Sequence, residues 1–233
     1  MKRLGKLITG RARLAAVVAA AVVVAGCRPA GDGRVVYPSP STAPGRTAAA
    51  PIGGVAALAR AEWTRASLIS ARLEPMGRIT AVTVHHEGSA EGDDDTGLGD
   101  VAARLRRIRA SHLDRLHAGD IGYHYVIDRA GRVWECRPIE YQGAHAGNGE
   151  ANRGNIGICV LGNFERQELT EEQKTSLATL LVRLMREHGI GADRVYTHRE
   201  IKKKFGLTPT LCPGRNLQLY MDQLRRGPLR VVR

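Results

Sequence analysis

Side chains that bind soft or borderline metal ions occur at three separated places in this sequence. The pair His85-His86 follows a β-branched apolar run, His198 follows a second short run, and Cys212 stands near the carboxyl terminus. Imidazole and thiolate suit zinc, and a catalytic zinc typically has three protein ligands and a fourth position for water. Successive side chains of a strand point to opposite faces, so only one member of the histidine pair can serve.

The elements that must bring these residues together follow from apolar periodicity and turn signals. A helix is expected after a capping box at Thr170–Gln173, ending near Gly189, and a hairpin turn is expected at Asp128–Gly131. Strands are predicted at 79–84, 123–127, 132–136, 156–161 and 195–197, and further helices at about 98–118 and 215–225. The pattern predicts an α/β fold, a mixed central β-sheet flanked by helices in a single domain.

The amino terminus has the layout of an export signal. Basic residues precede an apolar run from Leu14 to Ala25, which is too short for the roughly 20 residues of a membrane-spanning helix. The run ends in Val24-Ala25-Gly26-Cys27, which resembles the lipobox of bacterial lipoproteins. We therefore predict a signal peptide at 1–26, lipidation of Cys27, and a protein of the bacterial cell envelope, anchored by lipid on an exported face. An ordinary secretory signal with an incidental Cys27 is the alternative.

The predicted domain organisation has one folded unit on a tether. Residues 27–56 are rich in Pro, Gly and Ala and lack apolar periodicity, which is typical of a flexible linker. The folded domain is expected at 57–226 and a short tail at 227–233. We expect a monomer.

Charge narrows the class of partner. The chain carries 35 basic and 23 acidic residues, and removal of 1–26 leaves 30 basic against 23 acidic residues, a net charge of +7. A basic surface favours anionic cell-wall polymers, lipid head groups or nucleic acid, and export argues against nucleic acid. The expected partners are therefore in the envelope, including the membrane that the N-terminal lipid would enter.

The cysteine count leaves one thiol for the metal. With Cys27 assigned to lipid, Cys136, Cys159 and Cys212 remain, and an odd number cannot all pair. Cys136 and Cys159 would form a disulfide if their strands are neighbours. The other interpretation is that they are two separately buried thiols, since free cysteine packs as a small apolar residue.

Ordered motifs extend this hypothesis to a family. From about Arg60 to Tyr220 the chain contains RAEW, ITAVTVHHEG, HLDRLHAGDIGYHYVIDRAGRVWECRP, AHAG, NIGICVLGNF, THREI and LCPG. In this order they resemble the zinc-dependent N-acetylmuramoyl-L-alanine amidases, a family that includes the peptidoglycan recognition proteins and small phage-type amidase lysozymes. The resemblance implies hydrolysis of the amide between N-acetylmuramic acid and L-alanine in peptidoglycan or muropeptides. Some members bind peptidoglycan without cleaving it, so a non-catalytic binding lipoprotein is the alternative.

The resemblance also implies roles for individual residues. Zinc would be held by His85, His198 and Cys212, and His86 would be a neighbour. Tyr123 and Thr210 match the family's active-site positions. His145 and Asn155 fall where the family lines its substrate groove.

Two departures from the family pattern stand out. The interval of thirteen residues between His198 and Cys212 is longer than in the family pattern, so Ile201–Leu207 reads as an insertion, with a solvated loop at Lys202–Lys204. Some members also have a glutamate on the strand that here contains Cys159. A glutamate base on that strand is therefore absent.

Overall fold

The structure is a computed structural model that describes residues 56–89 and 94–232. The predicted signal peptide, Cys27 and the tether as far as residue 55 lie outside the described residues. Among the described helices, none combines the length and the apolar character that crossing a bilayer requires.

The described residues form six strands and five α-helices. The strands are β1 (Ala57–Leu58), β2 (Ala81–His86), β3 (Tyr125–Ile127), β4 (Val133–Glu135), β5 (Asn155–Val160) and β6 (Val195–Thr197). The helices are α1 (Leu98–Arg115), α2 (Gly149–Asn152), α3 (Glu171–His188), α4 (His198–Lys204) and α5 (Arg215–Arg226). Short 3-10 turns at Arg60–Glu62, Ser70–Arg72, Ala192–Arg194 and Pro228–Val231 complete the set.

All six strands belong to one mixed sheet in the order β1-β4-β3-β5-β2-β6. The β3–β4 hairpin is antiparallel, and the other neighbouring pairs are parallel. The carboxyl ends of β2, β5 and β6 therefore lie at one edge of the sheet. This edge is where His85 and His198 arrive. The predicted mixed sheet flanked by helices is confirmed.

The sheet separates two apolar clusters. On one face, Val82, Val84 and the alternate residues of β5 pack against α3 and α5. On the other face, Cys136 and Cys159 pack against α1. Because side chains alternate along a strand, Thr83 and His85 of β2 share the α1 face with Cys159. The two cysteines are free buried thiols, so the interpretation without a disulfide holds.

Local signals in the sequence position the hairpin and α3. Gly131 adopts a φ of 77°, which suits glycine at the end of the β3–β4 turn. The Thr170 hydroxyl accepts the Gln173 backbone N–H while the Gln173 side chain accepts from the Thr170 backbone, so the predicted capping box is formed. Helix α3 ends at Gly189, as predicted.

Two segments differ from the expectations. The residues read as an inserted loop, Ile201–Leu207, begin inside helix α4, which starts from its own capping box between Thr197 and Glu200. The predicted tail from residue 227 packs on the domain, because Leu229 is fully buried in the cluster that contains Met221. The boundary predicted at 226 is therefore too early, and the domain extends through residue 232.

Candidate metal centre

Three side chains from separate parts of the chain meet at the carboxyl ends of β2 and β6. Val84 pairs with Thr197 in the parallel register, so the next residues, His85 and His198, lie side by side with ring centroids 4.4 Å apart. Cys212 Sγ lies 3.8 Å from His85 Nδ1. One ligand atom from each of the three residues lies within 4.8 Å of the other two. The structure thus brings together the three residues predicted as metal ligands.

The loop before α5 holds Cys212 against the end of β5. The Asn216 backbone N–H donates to the Phe164 carbonyl at 2.9 Å. Gly214 approaches the same segment so closely that a Cβ there would lie 2.5 Å from the Phe164 carbonyl carbon. The Cys212 backbone N–H donates to Thr210 Oγ1 at 3.2 Å. Close backbone packing therefore fixes the thiol beside His85.

Burial keeps the three ligand groups uncharged. It lowers the pKa of His85 far below its usual range and, together with the charge of Lys202, lowers that of His198 to about 4. Burial raises the pKa of the Cys212 thiol to about 12. Both imidazoles are therefore neutral near pH 7 with lone pairs to donate, and binding of a cation would displace the proton of the thiol.

The donor set fits a metal ion of the zinc type. His198 Nε2 is buried and has no hydrogen-bond partner within the described residues. Such an orphaned nitrogen costs free energy unless something binds it. Around a tetrahedral zinc, nitrogen and sulfur ligand atoms lie about 3.3–3.6 Å apart, close to the 3.8 Å between His85 and Cys212. The His198 ring that carries this unpaired nitrogen is one of the three side chains that converge.

A chain of hydrogen bonds sets the tautomer of His85. His145 Nε2 lies 3.1 Å from the Asn155 carbonyl, which can only accept, so this nitrogen carries the proton. Burial lowers the pKa of His145, which is neutral, so its Nδ1 is an acceptor. That atom lies 3.0 Å from His85 Nε2, which must donate. The lone pair of His85 is therefore on Nδ1, the atom that faces Cys212.

The structure buries His145 and Asn155, which were predicted to line a substrate groove, and bonds their polar atoms inside the domain. His145 is buried and its two ring nitrogens bond His85 and a carbonyl. The Asn155 side chain is 1% exposed and bonds Thr83 Oγ1 and the Ala151 carbonyl. Neither side chain has a polar atom left for substrate. His145 instead accepts a hydrogen bond from His85 Nε2 and so orients this predicted ligand, a role that a carboxylate, carbonyl or water more often plays for a metal-binding histidine.

Two glycines make room for the His145 ring. A Cβ on Gly157, in the middle of β5, would lie 2.5 Å from His145 Cδ2, and a Cβ on Gly143 would lie 2.4 Å from the same atom. Real Cβ atoms do not approach other atoms so closely. Any residue larger than glycine at position 143 or 157 would therefore occupy the space of the His145 ring. A glycine inside a strand often marks such a close approach. Gly157, a glycine within a predicted strand, could have signalled a close approach at this point of the sheet, and the structure shows that the approaching group is His145.

Tyr123 lies beside the cluster. Its ring centroid is 5.3 Å from that of His85 and 5.3 Å from that of His112, so the phenol is held between two imidazoles. Burial, with the Cys159 and Cys212 thiols nearby, raises its pKa well above the usual range. Tyr123 is therefore a protonated phenol at any physiological pH and acts as a hydrogen-bond donor.

Thr210, predicted as an active-site residue, lies in the loop that carries Cys212. Its hydroxyl accepts the Cys212 N–H, and its side chain lines a pocket of about 670 Å³ next to α4. Thr210 thus supports the loop that carries the thiol, at the edge of the centre.

Comparisons with known proteins identify the family of this chain. The sequence profile described as N-acetylmuramoyl-L-alanine amidase matches residues 75–215. The chain belongs to the N-acetylmuramoyl-L-alanine amidase family. Peptidoglycan-recognition protein SD of Drosophila simulans is 31% identical over 183 residues, which cover 77% of this chain and 91% of that protein. Peptidoglycan-recognition protein SC2 of Drosophila melanogaster is 31% identical over 165 residues, covering 70% and 83%.

Solved structures show the same amidase-family fold. Drosophila peptidoglycan recognition protein SD aligns with a TM-score of 0.61 at 24% identity, covering 76% of this chain and 96% of that one. The amidase LysC from Clostridium intestinale aligns with a TM-score of 0.54 at 24% identity, covering 69% and 94%. These likenesses confirm the predicted fold, and the profile match and the relatives confirm the predicted family.

The remaining polar residues near this amidase-family centre are engaged in other contacts. His86 Nδ1 accepts the Phe164 N–H at 3.3 Å, on the opposite side of β2 from His85. Glu87 forms a two-point ion pair with Arg104, which includes an Nε–Oε1 contact of 2.8 Å. Cys159, paired with His85 in the register, is fully buried. No carboxylate therefore joins the three ligand residues in the cluster that the described residues form.

The glycine slot generates a stability prediction. Gly157→Ala should destabilise the protein by about 1–3 kcal/mol, because the new methyl group overlaps the His145 ring. Adding His145→Ala removes the overlapping ring, so the double variant should lose less than the sum of the two single changes. Urea unfolding of the full chain measures this coupling.

Gly99→Ala is the matched control. It lies in α1 with nothing within 4 Å of the added Cβ, so it should be neutral or stabilising by about 0.5–1 kcal/mol. Strictly additive effects of Gly157→Ala and His145→Ala would contradict the proposed overlap.

Proposed function

We propose that the protein is a zinc-dependent amidase that hydrolyses the bond between N-acetylmuramic acid and L-alanine in peptidoglycan. The observation that carries this proposal is the convergence of His85, His198 and Cys212 with a buried His198 nitrogen that lacks a partner. Membership of the amidase family supplies the substrate class. A related structure, 29% identical, has tracheal cytotoxin bound to the ectodomains of peptidoglycan recognition proteins LCa and LCx, which supports a muropeptide ligand.

The chemistry divides between the ion and the chain. His85, His198 and Cys212 would hold a zinc ion, which when bound would supply Lewis-acid polarisation of the amide carbonyl and activation of water near neutral pH. His145 keeps the His85 lone pair on Nδ1, the atom that faces Cys212. Tyr123, as a neutral phenol, donates a hydrogen bond to the oxyanion that develops as the carbonyl is attacked. Thr210 holds the Cys212 loop at the edge of the centre.

The leaving amine must receive a proton. Glu87 is paired with Arg104 as a carboxylate and therefore accepts hydrogen bonds. Tyr123 is the proposed relay: through a water molecule it would pass its proton towards the leaving amine and recover the proton that the attacking water loses, so that no net proton is required.

The competing hypothesis is a module that binds peptidoglycan without cleaving it. Such a module needs a groove but no metal ligands. This chain keeps all three ligand side chains in one cluster and adds His145 to fix the tautomer of one of them. That supporting contact favours the enzyme.

The activity test uses the purified full chain and isolated peptidoglycan. We expect release of peptides with new L-alanine amino termini, detected by mass spectrometry, and loss of activity when a chelator removes the metal. Cys212→Ser should lose zinc and activity, whereas Cys136→Ser, at a buried thiol remote from the ligands, should keep both. Peptidoglycan binding without any peptide release would favour the binding module, and activity in excess chelator would remove zinc from the mechanism.

Tyr123→Phe tests the proposed donor. It should leave zinc content unchanged and lower kcat by about 10²–10³, the usual cost of losing one oxyanion donor. Tyr125→Phe is the control, since that residue packs with the cluster on the other face of the sheet and should retain the wild-type rate. An unchanged rate for Tyr123→Phe would remove this residue from the mechanism.

We also propose that Cys27 carries the lipid that anchors the enzyme in the bacterial cell envelope. The support is the sequence alone: a signal-like segment, small residues before the cysteine and a tether after it. In bacterial cells, Cys27→Ser should shift the protein from the membrane fraction to the soluble fraction and abolish incorporation of labelled fatty acid. Equal membrane association of the two forms would refute the anchor.

A further inference from the structure

The turn that carries His198 is tied to helix α5. Thr197 is the last residue of β6 and the N-cap of α4, and His198 is the first residue of that helix. The Thr197 side chain is buried, and its hydroxyl donates to Gln218 Oε1 of α5 at 2.8 Å. The same hydroxyl oxygen accepts the Glu200 N–H at 3.4 Å, as part of the capping box. The contact with α5 therefore acts at the point where the chain turns from strand to helix.

The orientation of the Gln218 amide is fixed by its other partners. Its Nε2 donates to Glu200 Oε1 at 2.9 Å and to Asp222 Oδ1 at 3.2 Å. Both carboxylates are paired with Arg225 and can only accept, so the amide nitrogen must face them. The amide oxygen consequently faces Thr197. Because the Thr197 hydroxyl has one proton, it donates that proton to Gln218 and keeps its lone pairs for the cap of α4.

The same turn of α5 holds the loop that carries Cys212. Gly214, two residues after Cys212, is the N-cap of α5. Asn216 Nδ2 donates to the Gln167 carbonyl at 2.9 Å, which ties this turn to the segment after β5. The Gln218 N–H donates to the Gly214 carbonyl at 3.0 Å and closes the first turn of the helix. One helical turn thus contacts the supports of two proposed ligands.

A closed helical turn has fixed dimensions, because each residue adds a rise of about 1.5 Å and the backbone hydrogen bond prevents extension. The support of the Cys212 loop and the support of the His198 turn cannot shift independently while both bonds to α5 are formed. Pairing with β2 fixes His198 relative to His85. The first turn of α5 adds the third relation, between His198 and Cys212.

We infer that Gln218 is a positioning residue of the metal centre, which acts through Thr197 to hold His198 at the ligand-binding separation from Cys212. This inference rests on the proposed zinc-dependent function. Loss of a residue that bonds a metal ligand directly typically weakens metal binding by about 10–100-fold. Gln218 acts through one further residue, so its effect belongs at the lower end of that range.

Gln218→Met tests the inference, with Gln223→Met as the matched control. Methionine keeps the length of the side chain and removes its hydrogen bonds, and Gln223 is an exposed residue of the same helix. The zinc Kd of the folded full chain is measured by competition with a chromophoric chelator. Gln218→Met should raise this Kd by about tenfold, and Gln223→Met should leave it at the wild-type value. Cobalt substituted for zinc should still show thiolate charge-transfer absorption in Gln218→Met.

Variants of Thr197 test the route. Thr197→Val should raise the zinc Kd, whereas Thr197→Ser, which keeps the hydroxyl, should stay within about twofold of wild type. In the Thr197→Val background, Gln218→Met should add no more than about twofold, because the hydroxyl through which it acts is gone. These comparisons remain decisive if one single variant fails to fold. Full additivity of the two changes, or equal effects of the serine and valine variants, would contradict the route through Thr197.

Urea unfolding of the metal-free variants separates positioning from a structural role. A Gln218→Met protein that is less stable but binds zinc as tightly as Gln223→Met would overturn the inference and leave the proposed activity intact. The predicted loss of zinc affinity, with a wild-type protein that cleaves no peptidoglycan, would support the positioning role and refute the amidase. A wild-type protein that binds no zinc would overturn both.

Discussion

The parallel pairing of β2 with β6 is the constraint on which the centre depends. Because Val84 is aligned with Thr197, His85 and His198 leave the sheet at the same level and their rings meet. A slip of one residue would turn His85 to the opposite face, where Val82 and Val84 pack against α3 and α5. The apolar burial of those two valines therefore fixes the position of the imidazole on the other face. The Cys212 thiol comes from a loop outside the sheet. The close approach of Gly214 to the backbone of Phe164 holds that loop in place.

The centre is preorganised by burial and by neutral hydrogen bonds. The His145 ring is held between Gly143 and Gly157. It donates from Nε2 to the Asn155 carbonyl and therefore accepts at Nδ1 from His85 Nε2. Burial keeps the three proposed ligand groups uncharged when no cation is bound. Burying these polar side chains costs free energy, which the packing of the core offsets. A bound cation would stabilise the site further, because it would pair with the Cys212 thiolate and the imidazole nitrogens. A neutral Tyr123 fits this buried environment better than a carboxylate would.

Much of the fold was predictable from local pattern. The capping box at Thr170, the Gly131 turn and the apolar runs of β2 and β5 are short-range signals, and each predicted element appears close to its expected bounds. The ligand set was predicted from ordered motifs, because separated residues give no sign by spacing alone that they will converge. Helix α4 was not predicted, because its sequence lacks the apolar periodicity of an amphipathic helix. It is stabilised by its capping box and by the packing of Leu207 with the cluster around Ala146.

Burial was the part that the sequence could not predict. His145 and Asn155, predicted for a groove, are covered once β5 pairs with β2 and the 143–146 loop closes over Gly157. The sequence alone does not show which atoms form hydrogen bonds with the two ring nitrogens of a histidine, because those partners come from distant segments of the chain. The tail after residue 226 was misjudged for the same reason, because only the folded core creates the site that Leu229 fills.

X-ray absorption at the zinc edge of the purified full chain tests the central claim most directly. The geometry predicts one sulfur ligand at about 2.3 Å and nitrogen or oxygen ligands at about 2.0–2.1 Å, with the sulfur shell absent in Cys212→Ser. His145→Ala should keep the sulfur shell and bind zinc more weakly by about 10–100-fold. A protein that binds no zinc, or whose zinc has no sulfur neighbour, would contradict the account.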